Sequence, residues 1–214
     1  MFTGIVRGRG TIIAADPQPW GTRLRIRFPE QLLTGLETGA SVAVDGVCLT
    51  VVAFEGTDVD FDAIRGTLEI TNLADRRVGD PVNLERSAVY GAEIGGHMVS
   101  GHVSTTADLT GLELKDDDAH IEFRVPAEWF RYVFLRGFLA VDGASLTVAH
   151  IDEAQRLCRI NLIPETLRNT CIGRYRSGDR LNIEVEHHTQ VLVDVISRTI
   201  RDAMAAGVAP AGHP

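Results

Sequence analysis

The chain contains one nine-residue pattern twice. Residues 43–51 read AVDGVCLTV and residues 140–148 read AVDGASLTV, 97 positions later. At the same spacing residues 1–6 (MFTGIV) lie over residues 98–103 (MVSGHV), and from Thr67 onward the matches continue at a spacing of 99. An ordered series of matches at a nearly constant spacing indicates a duplicated structural unit. We expect one half at residues 1–97, a second at 98–186 and an unrepeated tail at 187–214.

Each half has the residue pattern of short β-strands. Apolar and charged residues alternate along 22–28 (TRLRIRF), and 119–125 (AHIEFRV) alternates in the same way. This period of two is typical of a half-buried strand. Asp45-Gly46 and Asp142-Gly143 stand between apolar runs, where such dipeptides favour tight hairpins. The pattern predicts an all-β fold of two similar closed β-barrels from an internal repeat, followed by a C-terminal α-helix.

Helices are expected at three places. Short ones are predicted near residues 30–36 and 127–135, each after a proline that ends a strand. A longer one is predicted in the tail, capped by Thr189 and running to about Ala205. Its apolar stripe consists of Leu192, Val195, Ile196, Thr199 and Ala203. The stripe either packs on its own barrel or mediates self-association, and we favour self-association. Disorder is expected from Gly207 onward.

Composition excludes several classes of protein. The chain has 21 basic and 29 acidic residues, a net charge of −8, which argues against nucleic-acid and anionic-membrane binding. Its three cysteines, Cys48, Cys158 and Cys171, are widely spaced and odd in number, which does not suggest a disulfide framework. No export signal or apolar run of about 18 residues occurs. We expect a cytoplasmic protein that binds neither nucleic acid nor membrane.

Small polar side chains occupy the same positions in both hairpins. Cys48 and Thr50 share one face of a strand, and Ser145 and Thr147 share the matching face. This placement favours a polar site used twice. The alternative is that these side chains only satisfy backbone groups near a turn.

Titratable residues are repeated only in part: some match between the two halves and others do not. His102 stands where the other half has Ile5, and histidine suits proton transfer near neutral pH. His97 lies five residues earlier, a spacing that on one strand argues against a shared metal site. Glu85 and Glu184 match each other and are interpreted first as structural pairing groups. No nucleotide-binding, metalloprotease or serine-hydrolase motif occurs.

Taken in order, these motifs resemble the riboflavin synthase α-chain family. The resemblance rests on MFTGIV at residues 1–6, the segments 45–51, 95–103 and 142–148, and IPETL at 163–167, and it runs from Met1 to about Asp202. It implies two β-barrels and a C-terminal helix, with three chains assembling around the helices. It also implies an active site between the first barrel of one chain and the second barrel of a neighbour.

The resemblance further implies a transferase that needs no cofactor and no metal. Two molecules of 6,7-dimethyl-8-ribityllumazine would exchange a four-carbon unit, giving riboflavin and 5-amino-6-ribitylamino-pyrimidinedione in the last step of riboflavin biosynthesis. Association with lumazine synthase is a further expectation. Two related pockets would then hold two copies of one substrate.

Substrate contacts carry over from the family by position. In the first barrel they are Gly4, Ile5, Val6, Cys48, Leu49, Thr50, Asp62, Ala63, Ile64, Arg65, Gly66 and Thr67. In the second barrel they are Gly101, His102, Val103, Ser145, Leu146, Thr147, Asn161, Leu162, Ile163, Pro164, Glu165 and Thr166. Arg136 replaces the usual lysine, Gly66 replaces a common glutamate and Glu186 replaces a frequent aspartate.

The resemblance leads to a hypothesis about catalysis. His102 and Thr147 would assist removal of a proton from the C7 methyl group of one lumazine. Ser41 and Cys48 would help water or a hydroxyl add at C7 of the other, and Glu186 is a further catalytic candidate. Two rival classes stay open: a lumazine-carrying antenna protein without turnover, and a β-barrel assembly module without a ligand.

Overall fold

The first half of the chain closes into a six-stranded barrel. The computed structural model describes residues 1–115 and 118–206, so the predicted disorder from Gly207 lies outside the described residues. The strands are β1 (Gly8–Gln18), β2 (Gly21–Arg27), β3 (Ser41–Val44), β4 (Val47–Glu55), β5 (Asp58–Ile64) and β6 (Pro81–Arg86). They pair in the order β1-β2-β5-β4-β3-β6. Helix α1 (Arg65–Ile70) and a 3₁₀ turn (Asn72–Asp75) connect β5 to β6.

The second half repeats this plan as a seven-stranded sheet. Its strands are β7 (Thr105–Lys115), β8 (Asp118–Arg124), β9 (Phe138–Val141), β10 (Ala144–Thr147), β11 (His150–Asp152), β12 (Leu157–Asn161) and β13 (Arg180–Val185). They pair in the order β10-β9-β13-β7-β8-β12-β11. Helices α2 (Ala127–Phe130) and α3 (Pro164–Asn169) and a 3₁₀ turn (Ile172–Arg174) complete this half.

The repeated all-β architecture is confirmed, with one difference in the second half. There the ladder is not closed, because β10 and β11 together take the place of the single strand β4. Between them the N–H of Val148 donates to Gly137 and that of Ala149 donates to Arg159. Over these two residues the chain therefore stops pairing with β9 and begins to pair with β12. In the first half, β4 pairs with both β3 and β5 without interruption, and the ladder with β5 contains a register shift between Val51 and Ala53.

The predicted strands at 22–28 and 119–125 are confirmed as β2 and β8, but the predicted short helices are shorter than expected. The segment 30–36 forms only a 3₁₀ turn at Glu30–Leu32, and 127–135 forms only the four-residue α2. Segments this short gain few backbone hydrogen bonds for the residues that they order.

The two predicted hairpin turns meet at the junction between the halves. Asp45 and Gly46 have φ values of 45° and 79°, and Asp142 and Gly143 have 43° and 81°. Two successive left-handed residues are typical of a type I′ turn. A Cβ atom on Gly46 would lie 2.6 Å from the backbone nitrogen of Gly143, so glycine is required for this contact.

The tail forms helix α4 (His187–Ala205). The predicted cap at Thr189 is wrong: Glu186 caps the helix, and its carboxylate accepts hydrogen bonds from the N–H groups of His188 and Thr189. A carboxylate also interacts favourably with the positive end of the helix dipole, which a threonine hydroxyl cannot match. Among the described helices, none combines the length and apolarity needed to cross a lipid bilayer.

The apolar stripe of α4 faces away from its own barrel. Leu192, Val195 and Ile196 are exposed in the single chain. Contact with the second half comes instead from Val193, which packs against the core, and Asp194, which pairs with Arg131. The structure therefore does not support the alternative in which the stripe packs on its own barrel.

Candidate functional site

Two equivalent chain segments cross over between the halves. The N–H of Ser145 donates to the carbonyl of Gly4 at 2.7 Å, and Val6 joins the second-half core. Conversely, the N–H of Cys48 donates to the carbonyl of Gly101 at 2.9 Å, and Val103 joins the first-half core. The predicted grouping of residues 4–6 with 48–50, and of 101–103 with 145–147, is therefore wrong.

A glycine permits each crossover. Gly4 and Gly101 have φ values of 73° and 82°, which favour glycine. A Cβ atom on Gly4 would lie 2.5 Å from Cβ of Ser145, and one on Gly101 would lie 2.6 Å from Cβ of Cys48. In each half, therefore, the backbone of the crossing segment lies directly against a strand of the other half.

Glu85 and Glu184 hold the crossing segments. Glu85 accepts hydrogen bonds from the backbone and hydroxyl of Thr3, both at 2.7 Å, and from the N–H of Gly4 at 3.0 Å. Glu184 accepts three equivalent bonds from Ser100 and Gly101. Burial raises the pKa of both carboxyl groups, and these hydrogen bonds oppose that rise. These contacts agree with the interpretation of Glu85 and Glu184 as structural groups that bind the crossing segments.

The first candidate pocket, here called the Ser145 cluster, comprises residues 4–6, residues 145–147 and His97. The ring of His97 is buried, its Nδ1 lies 2.6 Å from Oγ of Ser145, and it stacks on Phe138 with 5.3 Å between ring centroids. Burial lowers the pKa of His97. Sequence reasoning did not select His97 for this pocket; the only signal was the Gly95-Gly96 pair before it.

The second candidate pocket, the Cys48 cluster, comprises residues 48–50, residues 101–103 and Ser41. Ser41 lies opposite Thr50 in the β3–β4 ladder. Cys48 is half-buried, Thr50 is exposed and Leu49 is buried, as the strand alternation predicts. His102 is exposed, and its backbone N–H donates to the hydroxyl of Ser100 at 3.0 Å. His102 and Thr147 therefore lie in different clusters of one chain.

The predicted segments 62–67 and 161–166 lie in the same halves as Cys48 and Ser145, respectively. Two of their carboxylates are already engaged: Asp62 accepts two hydrogen bonds from Arg23 at 2.7 and 2.9 Å, and Glu165 pairs with Arg168 and Asn169. These last contacts lower the pKa of Glu165. A Cβ atom at Gly66 would meet nothing within 4 Å.

Two further predicted residues occupy structural positions. Arg136 is exposed with a left-handed backbone, and its N–H donates to Val148 at 2.8 Å. Partial burial would raise the pKa of Glu186, but the hydrogen bonds from His188 and Thr189 outweigh it and lower this pKa to about 2. The Glu186 carboxylate thus serves the helix cap. Among the described residues, no group of three or more His, Cys, Asp or Glu side chains could hold a metal ion.

The surface beside the Ser145 cluster is apolar and uncovered in the single chain. Phe134, Leu135, Phe138 and Ile163 all belong to this half and are exposed. At the repeat spacing, Phe138 matches Ser41. The two clusters therefore share a frame but differ in the chemistry of their surroundings.

Comparison with known proteins agrees with this duplicated frame. A family model described as the lumazine binding domain matches residues 3–87 and again 100–186. The riboflavin synthase of Escherichia coli (strain K12) is 43% identical over 201 residues, covering 94% of this chain and 93% of that protein. The chain belongs to the riboflavin synthase family. Riboflavin synthases are enzymes that transfer a four-carbon unit, and this function is therefore assigned to the chain.

Other relatives extend the comparison. The riboflavin synthase of Chlamydia pneumoniae is 40% identical and covers 94% of this chain and 97% of its own. A crystal structure of LumP complexed with 6,7-dimethyl-8-(1'-D-ribityl) lumazine aligns with a TM-score of 0.79 at 25% identity, over 87% of this chain and 99% of LumP. LumP complexed with riboflavin aligns with a TM-score of 0.80 at 27% identity, over 87% of this chain and 100% of that chain. The neighbours thus carry ligands of the lumazine and flavin type on this frame.

Proposed function

We propose that one lumazine occupies the Ser145 cluster and a second occupies the Cys48 cluster, and that riboflavin forms by carbon transfer between them. The observation that carries the proposal is the pair of matching clusters, because one reaction consumes two copies of one substrate. Two molecules of 6,7-dimethyl-8-ribityllumazine contain all the atoms of riboflavin and 5-amino-6-ribitylamino-pyrimidinedione. The reaction therefore requires no cofactor, and positioning of the two rings supplies much of the rate.

We further propose that the two clusters meet across neighbouring chains of a homotrimer. The exposed stripe of α4 and the apolar surface beside the Ser145 cluster support this, since exposed apolar patches mark interaction surfaces. Such an assembly would bring His102 of one chain to Thr147 of its neighbour. The hypothesis that these two side chains assist proton removal from one lumazine would then apply to His102 and Thr147 of two neighbouring chains. It does not apply within one chain, where the two residues lie in different clusters.

The remaining residues divide between recognition and chemistry. Backbone groups of residues 4–6 and 101–103 would bind the pyrimidine edge, and side chains of Thr50, Asn161 and Thr166 would bind the ribityl chain. Ser41 and Cys48 would assist addition at C7. Because Glu186 is committed to its helix cap, we assign it a supporting position rather than a direct contact. Cytoplasmic location and association with lumazine synthase stay predictions.

Incubation of the purified protein with 6,7-dimethyl-8-ribityllumazine tests the proposal. Steady accumulation of riboflavin absorbance is the expected result. A stable complex without turnover would instead identify a lumazine carrier and overturn the proposed catalysis. Absence of any binding would identify an assembly module and overturn the proposal.

A further inference from the structure

The linker between the halves brings one side chain into the Ser145 cluster that the repeat does not contain. At the spacing of 97, Met98 matches Met1, so His97 lies directly before the repeated segment and between the two ranges, 3–87 and 100–186, that match the lumazine binding domain. Gly96 allows the backbone to pass close enough to place His97 beside Ser145. A Cβ atom at position 96 would lie 2.2 Å from the carbonyl oxygen of Thr3 and 2.9 Å from Cβ of Ser145. Only glycine lets the linker pass between these groups.

The imidazole of His97 is held on two sides. Its ring stacks on Phe138 at an interplanar angle of 16°, and Nδ1 lies 2.6 Å from Oγ of Ser145. The backbone of Ser145 is fixed as well, through its bond to Gly4. Cys48 occupies the matching position of the other cluster, and within residues 1–115 and 118–206 its thiol has no imidazole partner. The two pockets therefore differ at one equivalent position.

This contact gives the Ser145 hydroxyl one defined hydrogen-bonding direction. Burial lowers the pKa of His97, the negative charge of Glu186 opposes this, and the result favours a neutral ring. A neutral imidazole has one donor and one acceptor nitrogen. If Nδ1 accepts, Ser145 presents its lone pairs to the substrate; if Nδ1 donates, Ser145 presents its O–H. In both cases an otherwise freely rotating hydroxyl is fixed.

We propose that His97 is a positioning residue for the Ser145 hydroxyl, and that this pair makes the two lumazine pockets inequivalent. The pair orients the lumazine of the Ser145 cluster for carbon transfer, whereas in the Cys48 cluster no imidazole among the described residues fixes the side chain of Cys48, which is the counterpart of Ser145. The inference rests on the proposed function. It assigns to His97 an effect on kcat that acts through Ser145 alone.

Four variants test this inference in steady-state riboflavin formation. His97→Leu removes the hydrogen bond, His97→Asn places an amide near the Nδ1 position, His97→Gln places one too far away, and Ser145→Ala removes the partner. We expect His97→Leu and Ser145→Ala to lower kcat roughly 10- to 100-fold. We expect His97→Asn to recover most of that loss and His97→Gln to recover little. His150→Asn, at an exposed histidine outside both clusters, is the matched control.

A double-mutant cycle separates positioning from a general structural role. The variant that combines His97→Leu with Ser145→Ala should be no slower than the slower single variant, because both changes remove one unit. If the losses multiply, or if His97→Asn is as slow as His97→Gln, the inference is wrong. The comparison of His97→Asn with His97→Gln stands even if His97→Leu does not fold. A parent protein that forms no riboflavin overturns the proposed function and this inference together.

Discussion

The three thiols of this chain differ in their surroundings. Cys158 and Cys171 are buried, and burial raises the pKa of each to about 12. Cys48 is half-buried at the surface of its cluster. Since the thiolate is the reactive form, the buried thiols are protected both by access and by protonation.

We expect a disulfide reagent such as Ellman's reagent to titrate one thiol per native chain at pH 8 and three after unfolding. The reason is the exposure of Cys48 alone, and bound lumazine should slow its reaction. Cys48→Ser should abolish the native reaction. Rapid reaction of a second native thiol, or an unchanged rate in Cys48→Ser, would contradict this assignment.

At the scale of elements, the exchanged segments 1–6 and 98–103 tie each pocket to both halves of the chain. Each segment is anchored to its own half by one glutamate, on β6 or β13, and covers the hairpin of the other half. A change in either anchor should therefore act on the pocket of the opposite half. Sequence similarity between the segments does not reveal this arrangement.

Glu85→Ala should release the segment at Thr3 and Gly4 and weaken lumazine binding in the Ser145 cluster, because it leaves buried N–H groups unpaired at a cost of about 1–3 kcal/mol. Bound lumazine should still protect Cys48 from alkylation. Glu184→Ala should have the reverse effect and abolish that protection. Protection of Cys48 in both variants, or in neither, would show that the crossover does not govern the pockets; Glu113→Ala, an exposed glutamate, is the control.

At the scale of the whole molecule, a buried polar network joins the two halves. Asn83 donates to the carbonyl of Asp142, and Asn182 donates to that of Asp45. Arg76 lies 2.8 Å from the carboxylate of Asp45. The carboxylate of Asp142 has no such partner, and its Oδ2 atom makes no hydrogen bond within the described residues. Within the described residues, the guanidinium of Arg76 therefore pairs with only one of the two buried carboxyl groups.

This imbalance predicts a pH dependence of stability. Burial and the charge of Asp45 raise the pKa of Asp142 to about 7, although Arg76 opposes them; Tyr175 and Cys171 also face this network. The folded state keeps this proton at a pH where the unfolded chain has lost it. The free energy of unfolding should therefore fall as the pH rises from about 4 to 7, by up to about 4 kcal/mol.

Asp142→Asn should remove this part of the pH dependence, because a neutral amide replaces the protonated acid. Urea unfolding between pH 4 and 8 measures it, with Asp108→Asn at an exposed carboxylate as control. An unchanged slope in Asp142→Asn would place the responsible group elsewhere.

Assembly is the second property of the whole molecule. Ile196→Asp places a charge in the exposed stripe of α4 and should dissociate the proposed trimer with loss of turnover. Arg198→Asp changes an exposed polar position on the same helix and should leave the assembly intact. Sedimentation velocity measures both, and an unchanged trimer in Ile196→Asp would exclude the stripe as the organising surface.

Much of the local structure was predictable because its signals are local. The period of two identified β2 and β8, and the Asp-Gly dipeptides identified both I′ turns. The errors arose where segments were short or where the start of a helix depended on the backbone geometry. Thr189 is of a preferred capping type, but α4 begins at His187, so Glu186 holds the N-cap position and its carboxylate accepts hydrogen bonds from the N–H groups of His188 and Thr189.

The sequence by itself determined that the molecule is built twice from one unit, since the repeat and its strand pattern are written in residue order. Only the tertiary structure decided which hairpin each crossing segment covers, that His97 contacts Ser145, and that among the described residues Asp45 pairs with a cation whereas Asp142 does not. The physical reason is that a repeat gives equivalent positions without giving contacts. Contacts between distant residues depend on how the two halves pack against each other.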